Sequence, residues 1–161
     1  MIISHAHAFI LLAPWKTASS TCHARLGEYN ESSYNRFFHF NADLQRVVHQ
    51  HLTYAEYLCL PESKLGYVTA AFVRNPYDRV YSGFLQVQRD VVAQPKIETE
   101  DPWVKRLMLA QIAEVADLLI TSDFDFNTWF DRLEDHVFFN VGRNTNLPLY
   151  PASYWTGLRG R

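Results

Sequence analysis

The chain has 161 residues, of which 48% are hydrophobic and 20% are charged, and this balance fits one soluble globular domain spanning residues 1–161. A formal net charge of −2 argues against a general nucleic-acid binder. The two cysteines form no C-x-x-C pair, so a reducing, cytoplasmic location is expected. The early apolar stretch at 8–13 is too short to span a membrane, and no membrane partner is predicted.

Strands and helices are predicted to alternate along the first half of the chain. Phe9–Leu12 is a continuous apolar run, typical of a strand that is buried on both faces of a parallel sheet. The remaining elements predicted up to residue 73 are a helix at 22–28, a strand at 36–40, a helix that Asp43 caps and that carries Leu44, Val47 and Val48, a helix at 53–60, and a central strand at 67–73.

The second half is predicted to be mainly helical. Asn75-Pro76 is a typical helix start, because asparagine caps well and proline suits the first helical position. The elements predicted after it are a helix reaching Val91, an exposed loop at 92–102, amphipathic helices at 104–119 and 126–133, and a strand at 137–141. This alternation predicts an α/β fold with a parallel sheet and helices on its faces.

A short loop between the first strand and the first helix has the composition of an anion site. It reads Lys16-Thr17-Ala18-Ser19-Ser20-Thr21. Backbone N–H groups at a helix start favour a bound anion, and the lysine and the hydroxyls add donors. The loop lacks the glycines of a Walker A sequence, which disfavours a nucleoside-triphosphatase or a P-loop kinase. From this segment alone, a hydroxyl-rich turn that only caps the helix is an equal alternative.

Arg74 and Ser82 are candidates for a second anion contact. Arg74 stands at the carboxyl end of the strand predicted at 67–73, where ligands of open α/β sheets bind. Ser82 is two turns into the next helix and could donate to the same phosphate. The structural alternative is that Arg74 pairs with Asp78 and that Ser82 is simply exposed.

Two alternating histidines, His49 and His51, precede the helix predicted at 53–60. No set of Asp, Glu or Cys partners accompanies them, so no metal site is predicted. Histidine is the usual general base near neutral pH, and either residue is a candidate. His5 and His7 are assigned no role.

Taken together, three stretches resemble the sulfotransferase superfamily, in particular its Golgi-type and bacterial carbohydrate-sulfotransferase branch. Residues 16–21 are similar to the family's 5′-phosphosulfate loop. Residues 72–82, Phe-Val-Arg-Asn-Pro-Tyr-Asp-Arg-Val-Tyr-Ser, are similar to its 3′-phosphate motif and form the most specific match. Residues 49–54 resemble the segment that holds the acceptor base in 2-O-sulfotransferases.

The resemblance implies a P-loop-like, three-layer α/β/α fold and the donor 3′-phosphoadenosine-5′-phosphosulfate, which leaves as adenosine 3′,5′-bisphosphate. It implies that Lys16 binds the phosphosulfate and stabilises charge, and that Arg74 and Ser82 hold the 3′-phosphate. It also implies that His51 takes the acceptor proton, with His49 as neighbour or substitute. The remaining contacts to the phosphosulfate would come from the backbone or the side chains of Thr17, Ala18, Ser19, Ser20 and Thr21.

The acceptor implied by the resemblance is a hydroxyl of a carbohydrate or small metabolite. Tyr150, Tyr154 and Trp155 could stack on such an acceptor, although packing of the tail is the stronger interpretation. Family members are usually longer, and Trp15 stands before Lys16 where many have proline or a basic residue. The alternative hypothesis is therefore a nucleotide-binding module that is derived from a sulfotransferase and has lost turnover.

Overall fold

The structure, a computed structural model, describes residues 1–35, 38–93 and 99–139. Its strands are β1 (Ile2–Ser4), β2 (Phe9–Leu12), β3 (His39–Asn41), β4 (Arg46–Val48) and β5 (Val68–Ala71). Its α-helices are α1 (Ser19–Leu26), α2 (Tyr54–Leu58), α3 (Pro76–Ala93), α4 (Pro102–Thr121) and α5 (Phe126–Phe139). The described part of the chain is therefore mixed α/β, with small sheets and several helices.

The main sheet is mixed, whereas the sequence predicted a parallel one. Its order is β1-β2-β5, with β1 antiparallel and β5 parallel to the central strand β2. The four residues between β1 and β2 leave room only for a hairpin, which forces the antiparallel pairing. The Glu31 carboxylate holds this turn by accepting the backbone N–H groups of His5 and Ala6 at 2.8 and 3.1 Å.

The helix predicted to carry Leu44, Val47 and Val48 is wrong, because β3 and β4 form an antiparallel hairpin there. Asn41 Oδ1 accepts the backbone N–H of Leu44 at 2.9 Å, and Gln45 has a positive φ of 50°. The Asn41 contact closes the turn, and the left-handed conformation of Gln45 is incompatible with helix propagation. Val47 and Val48 lie in β4 instead, and their β-branched side chains are buried there.

The strand predicted at 67–73 is confirmed as β5, but it is an edge strand of the described sheet and not its centre. Val68 is 73% exposed. The central position belongs to β2, where Ile10 is fully buried. An apolar, β-branched sequence therefore did not distinguish a buried strand from an exposed one.

The helices predicted after Asn75 are confirmed as α3, α4 and α5. Asn75 Oδ1 accepts the backbone N–H of Tyr77 at 2.9 Å, as the predicted cap requires. The strand predicted at 137–141 is wrong over residues 137–139, which end α5, and its last two residues lie outside the described ranges. Also outside them lie residues 36 and 37 of the strand predicted at 36–40, residues 94–98 of the predicted loop, and the tail with Tyr150, Tyr154 and Trp155.

Two buried clusters organise the described residues. One packs the main sheet against β4 and against α2 with the residues that flank α2, and it includes Ile10, Leu12 and Val48. The other joins α3, α4 and α5 around Phe84, Leu119 and Trp129. α2 itself is fixed by a capping box between Thr53 and Glu56. Within the described ranges, no helix has the length and apolar character needed to cross a bilayer.

Candidate anion site

The parallel pairing of β2 with β5 places two loops at the same edge of the sheet. Leu12 and Ala71 are register partners at the carboxyl ends of these strands. The loop after β2 carries Lys16, and the segment after β5 carries Arg74. This edge is where open α/β sheets bind ligands.

Two residues in the loop after β2 have left-handed backbone conformations although neither is glycine. Lys16 has a φ of 62° and Ala18 a φ of 65°. Such conformations cost on the order of 1–2 kcal/mol each for a residue with a Cβ atom. Thr17 anchors the loop between them, since its hydroxyl donates to the Pro14 carbonyl at 2.8 Å. The Thr17 hydroxyl, which the sequence predicted as a ligand donor, is thus used within the loop.

The start of α1 has no side-chain cap. Ala18 occupies the N-cap position, and no side chain accepts from the first turn. Ser19, Ser20 and Thr21 form that turn, where backbone N–H groups have no partner within the helix. Ser19 is buried, whereas Ser20 and Thr21 are exposed. An anion at this position would complete the hydrogen bonding of the helix start.

Lys16 lies in a cationic environment. Its Nζ donates to Gln86 Oε1 on α3 at 3.3 Å. Burial, followed by the nearby charges of Arg89 and Arg74, lowers the Lys16 pKa, and Asp90 acts in the opposite direction. A lysine held among other cations is suited to bind an anion, which relieves their mutual repulsion.

Arg74 reaches the same loop. Its Nη1 donates to the Lys16 carbonyl at 3.5 Å, a long hydrogen bond. Arg74 is exposed and thus free to reorient towards a ligand at the helix start. Ser82 is half-buried on α3, one turn before Gln86. The structure therefore brings Lys16 and Arg74 together, and places Ser82 on the helix that contacts Lys16.

His51 is attached to the end of β2. Its Nδ1 lies 2.6 Å from the Ala13 carbonyl, which can only accept, so this nitrogen carries the proton. Nε2 then has the lone pair, and the Gln50 side-chain amide donates to it at 3.4 Å. His51 is 8% exposed, and burial lowers its pKa to about 3. The residue is therefore a neutral imidazole of fixed tautomer beside the entry to the loop.

His49 supports His51. Its Nδ1 accepts the backbone N–H of His51 at 2.9 Å, and the two rings meet edge to face with centroids 4.9 Å apart. Because Nδ1 holds the lone pair that accepts this hydrogen bond, neutral His49 carries its proton on Nε2, whereas His51 has its lone pair on Nε2. His5 and His7 lie in the exposed turn between β1 and β2. Among the described residues, no group of three or more His, Cys, Asp or Glu side chains could hold a metal ion.

Sequence reasoning missed three residues of α3 beside Lys16, namely Gln86, Arg89 and Asp90. Gln86 Oε1 also accepts from Arg89 Nη2 at 3.0 Å, and Gln86 Nε2 donates to Asp90 Oδ1 at 2.6 Å. Burial raises the Asp90 pKa. The available signal was helical spacing, because Gln86 and Arg89 follow Ser82 by four and seven residues and share its face.

Comparison with known proteins adds no relative. No protein-family model matches the chain, and no significant match was found among curated proteins or among solved structures.

Proposed function

We propose that this chain is a sulfotransferase that moves a sulfuryl group from 3′-phosphoadenosine-5′-phosphosulfate to a hydroxyl of a carbohydrate or small metabolite. The observation that carries the proposal is the meeting of Lys16 with Arg74 beside the uncapped start of α1. Two cations from neighbouring parallel strands are suited to an anion with two charged ends, as this donor has.

The proposed roles are those that the resemblance implies for these residues. The first turn of α1 and Lys16 bind the 5′-phosphosulfate, through backbone N–H groups and an ammonium. Arg74 and Ser82 bind the 3′-phosphate, where arginine offers a planar pair of donors. The same proposal includes the P-loop-like, three-layer α/β/α architecture and the cytoplasmic location that the sequence led us to expect.

The chemical step is an in-line displacement at sulfur. The acceptor oxygen forms a bond to sulfur while the bond from sulfur to the bridging phosphate oxygen breaks. The electron pair of the broken bond leaves with adenosine 3′,5′-bisphosphate, and Lys16 stabilises the charge that develops on the leaving oxygen. The proton of the acceptor hydroxyl passes to His51. Positioning supplies much of the rate in reactions of this type.

His51 has the tautomer that a base needs, since its Nε2 lone pair is not protonated. Its pKa of about 3, due to burial, is low for a base. Binding the anionic donor would raise this pKa, because negative charge nearby favours the imidazolium. The Gln50 amide must also move aside for an acceptor hydroxyl to reach Nε2.

The test of the proposal is sulfuryl transfer from radiolabelled donor to a panel of sugars and hydroxylated metabolites. We expect transfer by the wild type and a loss of about 100-fold or more in Lys16→Ala and His51→Ala, in the range for single charge-stabilising or acid–base groups. His7→Ala, at an exposed turn, serves as the matched histidine control and should retain activity. Transfer at the wild-type rate by both Lys16→Ala and His51→Ala would contradict the assigned roles.

A second candidate is a nucleotide-binding module without turnover. It is favoured by the burial of His51 and by the Gln50 amide that covers its Nε2. This candidate predicts that the wild type binds adenosine 3′,5′-bisphosphate yet transfers no sulfate to any acceptor of the panel. Transfer that is lost in His51→Ala would exclude it.

A further inference from the structure

One amide on α3 holds two cationic side chains that come from distant parts of the chain. Gln86 Oε1 accepts from Lys16 Nζ at 3.3 Å and from Arg89 Nη2 at 3.0 Å. Lys16 is 70 residues away in sequence, so this contact fixes the loop against the helix. The two positive groups therefore lie side by side on a single neutral acceptor.

The charges around the Lys16 ammonium do not cancel. Lys16, Arg74 and Arg89 contribute three positive groups, and Asp90 is the carboxylate paired with the Gln86 amide. Asp90 is half-buried, and burial disfavours its charged form. The remaining positive charge is suited to a bound anion with more than one negative oxygen.

The residues that α3 contributes to this cluster lie on one face of the helix. Ser82, Gln86 and Arg89 are separated by four and three residues, so they lie along one face of α3. A pairing of Gln86 with Arg89 alone would be an ordinary contact on a helix surface. Gln86 also contacts Lys16, however, and this second contact places the Arg89 guanidinium next to the loop at the start of α1.

We propose that Arg89 is a third cation of the anion site and that it binds the 5′ side of the donor together with Lys16. The inference rests on the proposed function, which assigns the 5′-phosphosulfate to Lys16. Arg89 follows Lys16 in this assignment because both groups bind the same Gln86 oxygen. Arg74, which extends from the end of β5, remains the contact for the 3′-phosphate.

Calorimetry and ligand-observed NMR with two nucleotides separate these assignments. Adenosine 3′,5′-bisphosphate offers both phosphates, whereas adenosine 5′-monophosphate lacks the 3′ group. We expect Arg89→Ala to weaken binding of both nucleotides by the same factor, about tenfold for one charge-assisted contact. Arg74→Ala should weaken only the bisphosphate. Arg89→Lys should recover most of the affinity, because it restores the positive charge.

Matched controls distinguish a ligand contact from a structural one. Arg106→Ala removes an exposed arginine from α4 and should leave binding unchanged. Arg89 is exposed, so Arg89→Ala should unfold at the wild-type temperature when no ligand is present. Bisphosphate binding by Arg89→Ala within twofold of the wild type would overturn the inference and leave the proposed function standing. An effect of Arg89→Ala on the bisphosphate alone would place Arg89 on the 3′ side and also overturn it. Failure of the wild type to bind the bisphosphate would instead remove the proposed function.

Discussion

The strands β2 and β5 are parallel neighbours of four residues each, yet their environments are opposite. Ile10 and Leu12 of β2 are 0% and 2% exposed, whereas Val68 of β5 is 73% exposed. Each strand leads to a cation at the same edge of the sheet. The buried strand β2 therefore holds the backbone at Lys16 in place, whereas the exposed strand β5 leaves Arg74 accessible from solvent.

The two strands also differ in the hydrogen bonds that hold the segments after them. The end of β2 is held by His51 through the Ala13 carbonyl, and the loop after it is held by Thr17. The only hydrogen bond described for the Arg74 side chain is the long one to the Lys16 carbonyl. Substitutions in β2 itself should therefore change stability, whereas substitution of the exposed Arg74 should change binding.

The largest expected effect is the loss of stability in acid through His51. Burial lowers its pKa from 6.5 to about 3, so below about pH 6.5 the unfolded chain binds a proton that the folded chain does not. Above about pH 6.5, His51 is neutral in both states and its titration does not affect the free energy of unfolding. As the pH falls towards 3, it destabilises the fold by up to about 1.4 kcal/mol per pH unit.

Urea denaturation between pH 7 and pH 4 tests this expectation. His51→Gln should reduce the acid slope, because glutamine has no titrating group and can still donate to the Ala13 carbonyl. His7→Gln removes an exposed histidine and is the matched control. Equal slopes in the wild type and His51→Gln would show that His51 is not buried in its neutral form.

Next in size is the difference between truncations on the two strands. Ile10→Ala should lower the free energy of unfolding by about 3 kcal/mol, since it removes a fully buried side chain from the core of the sheet. Val68→Ala should lower it by no more than about 0.5 kcal/mol, because the side chain is already largely in solvent. Comparable losses for the two variants, measured by urea denaturation, would remove the contrast between β2 and β5.

A smaller effect is expected at the left-handed position before α1. Ala18→Gly should raise the free energy of unfolding by about 1 kcal/mol, because glycine adopts a φ of 65° without the Cβ penalty. Ala24→Gly, at an exposed position inside α1, should lower it by about 1 kcal/mol. The two midpoints in urea should move in opposite directions, and a shared decrease would mean that the loop carries no such strain.

Part of this architecture could be predicted from local sequence. The apolar run of β2 and the cap at Asn75 predicted their elements correctly, and their order placed Lys16 and Arg74 at strand ends. The β3–β4 hairpin could not be predicted in this way, because Val47 and Val48 fit either a helix or a strand. Its turn at Gln45 decided between them.

The surroundings of the site depend on tertiary packing, so local patterns gave less information about them. Gln86 carries no charge and belongs to no motif, and its role as an acceptor for Lys16 exists only once α3 packs beside the loop. The hydrogen bond from His51 to Ala13 spans 38 residues and fixes the imidazole tautomer. Sequence reasoning suggested a base at His51, whereas its burial and low pKa follow from packing.

Titration calorimetry with adenosine 3′,5′-bisphosphate tests whether Lys16 and Arg74 together form an anion site. We predict that the wild type binds with a Kd in the micromolar range, about −8 kcal/mol. Lys16→Ala and Arg74→Ala should each weaken binding by about tenfold or more, whereas Lys64→Ala, at an exposed lysine that ends the 3-10 helix before β5, should not. No binding by the wild type, or equal binding by all four proteins, would contradict the proposed site.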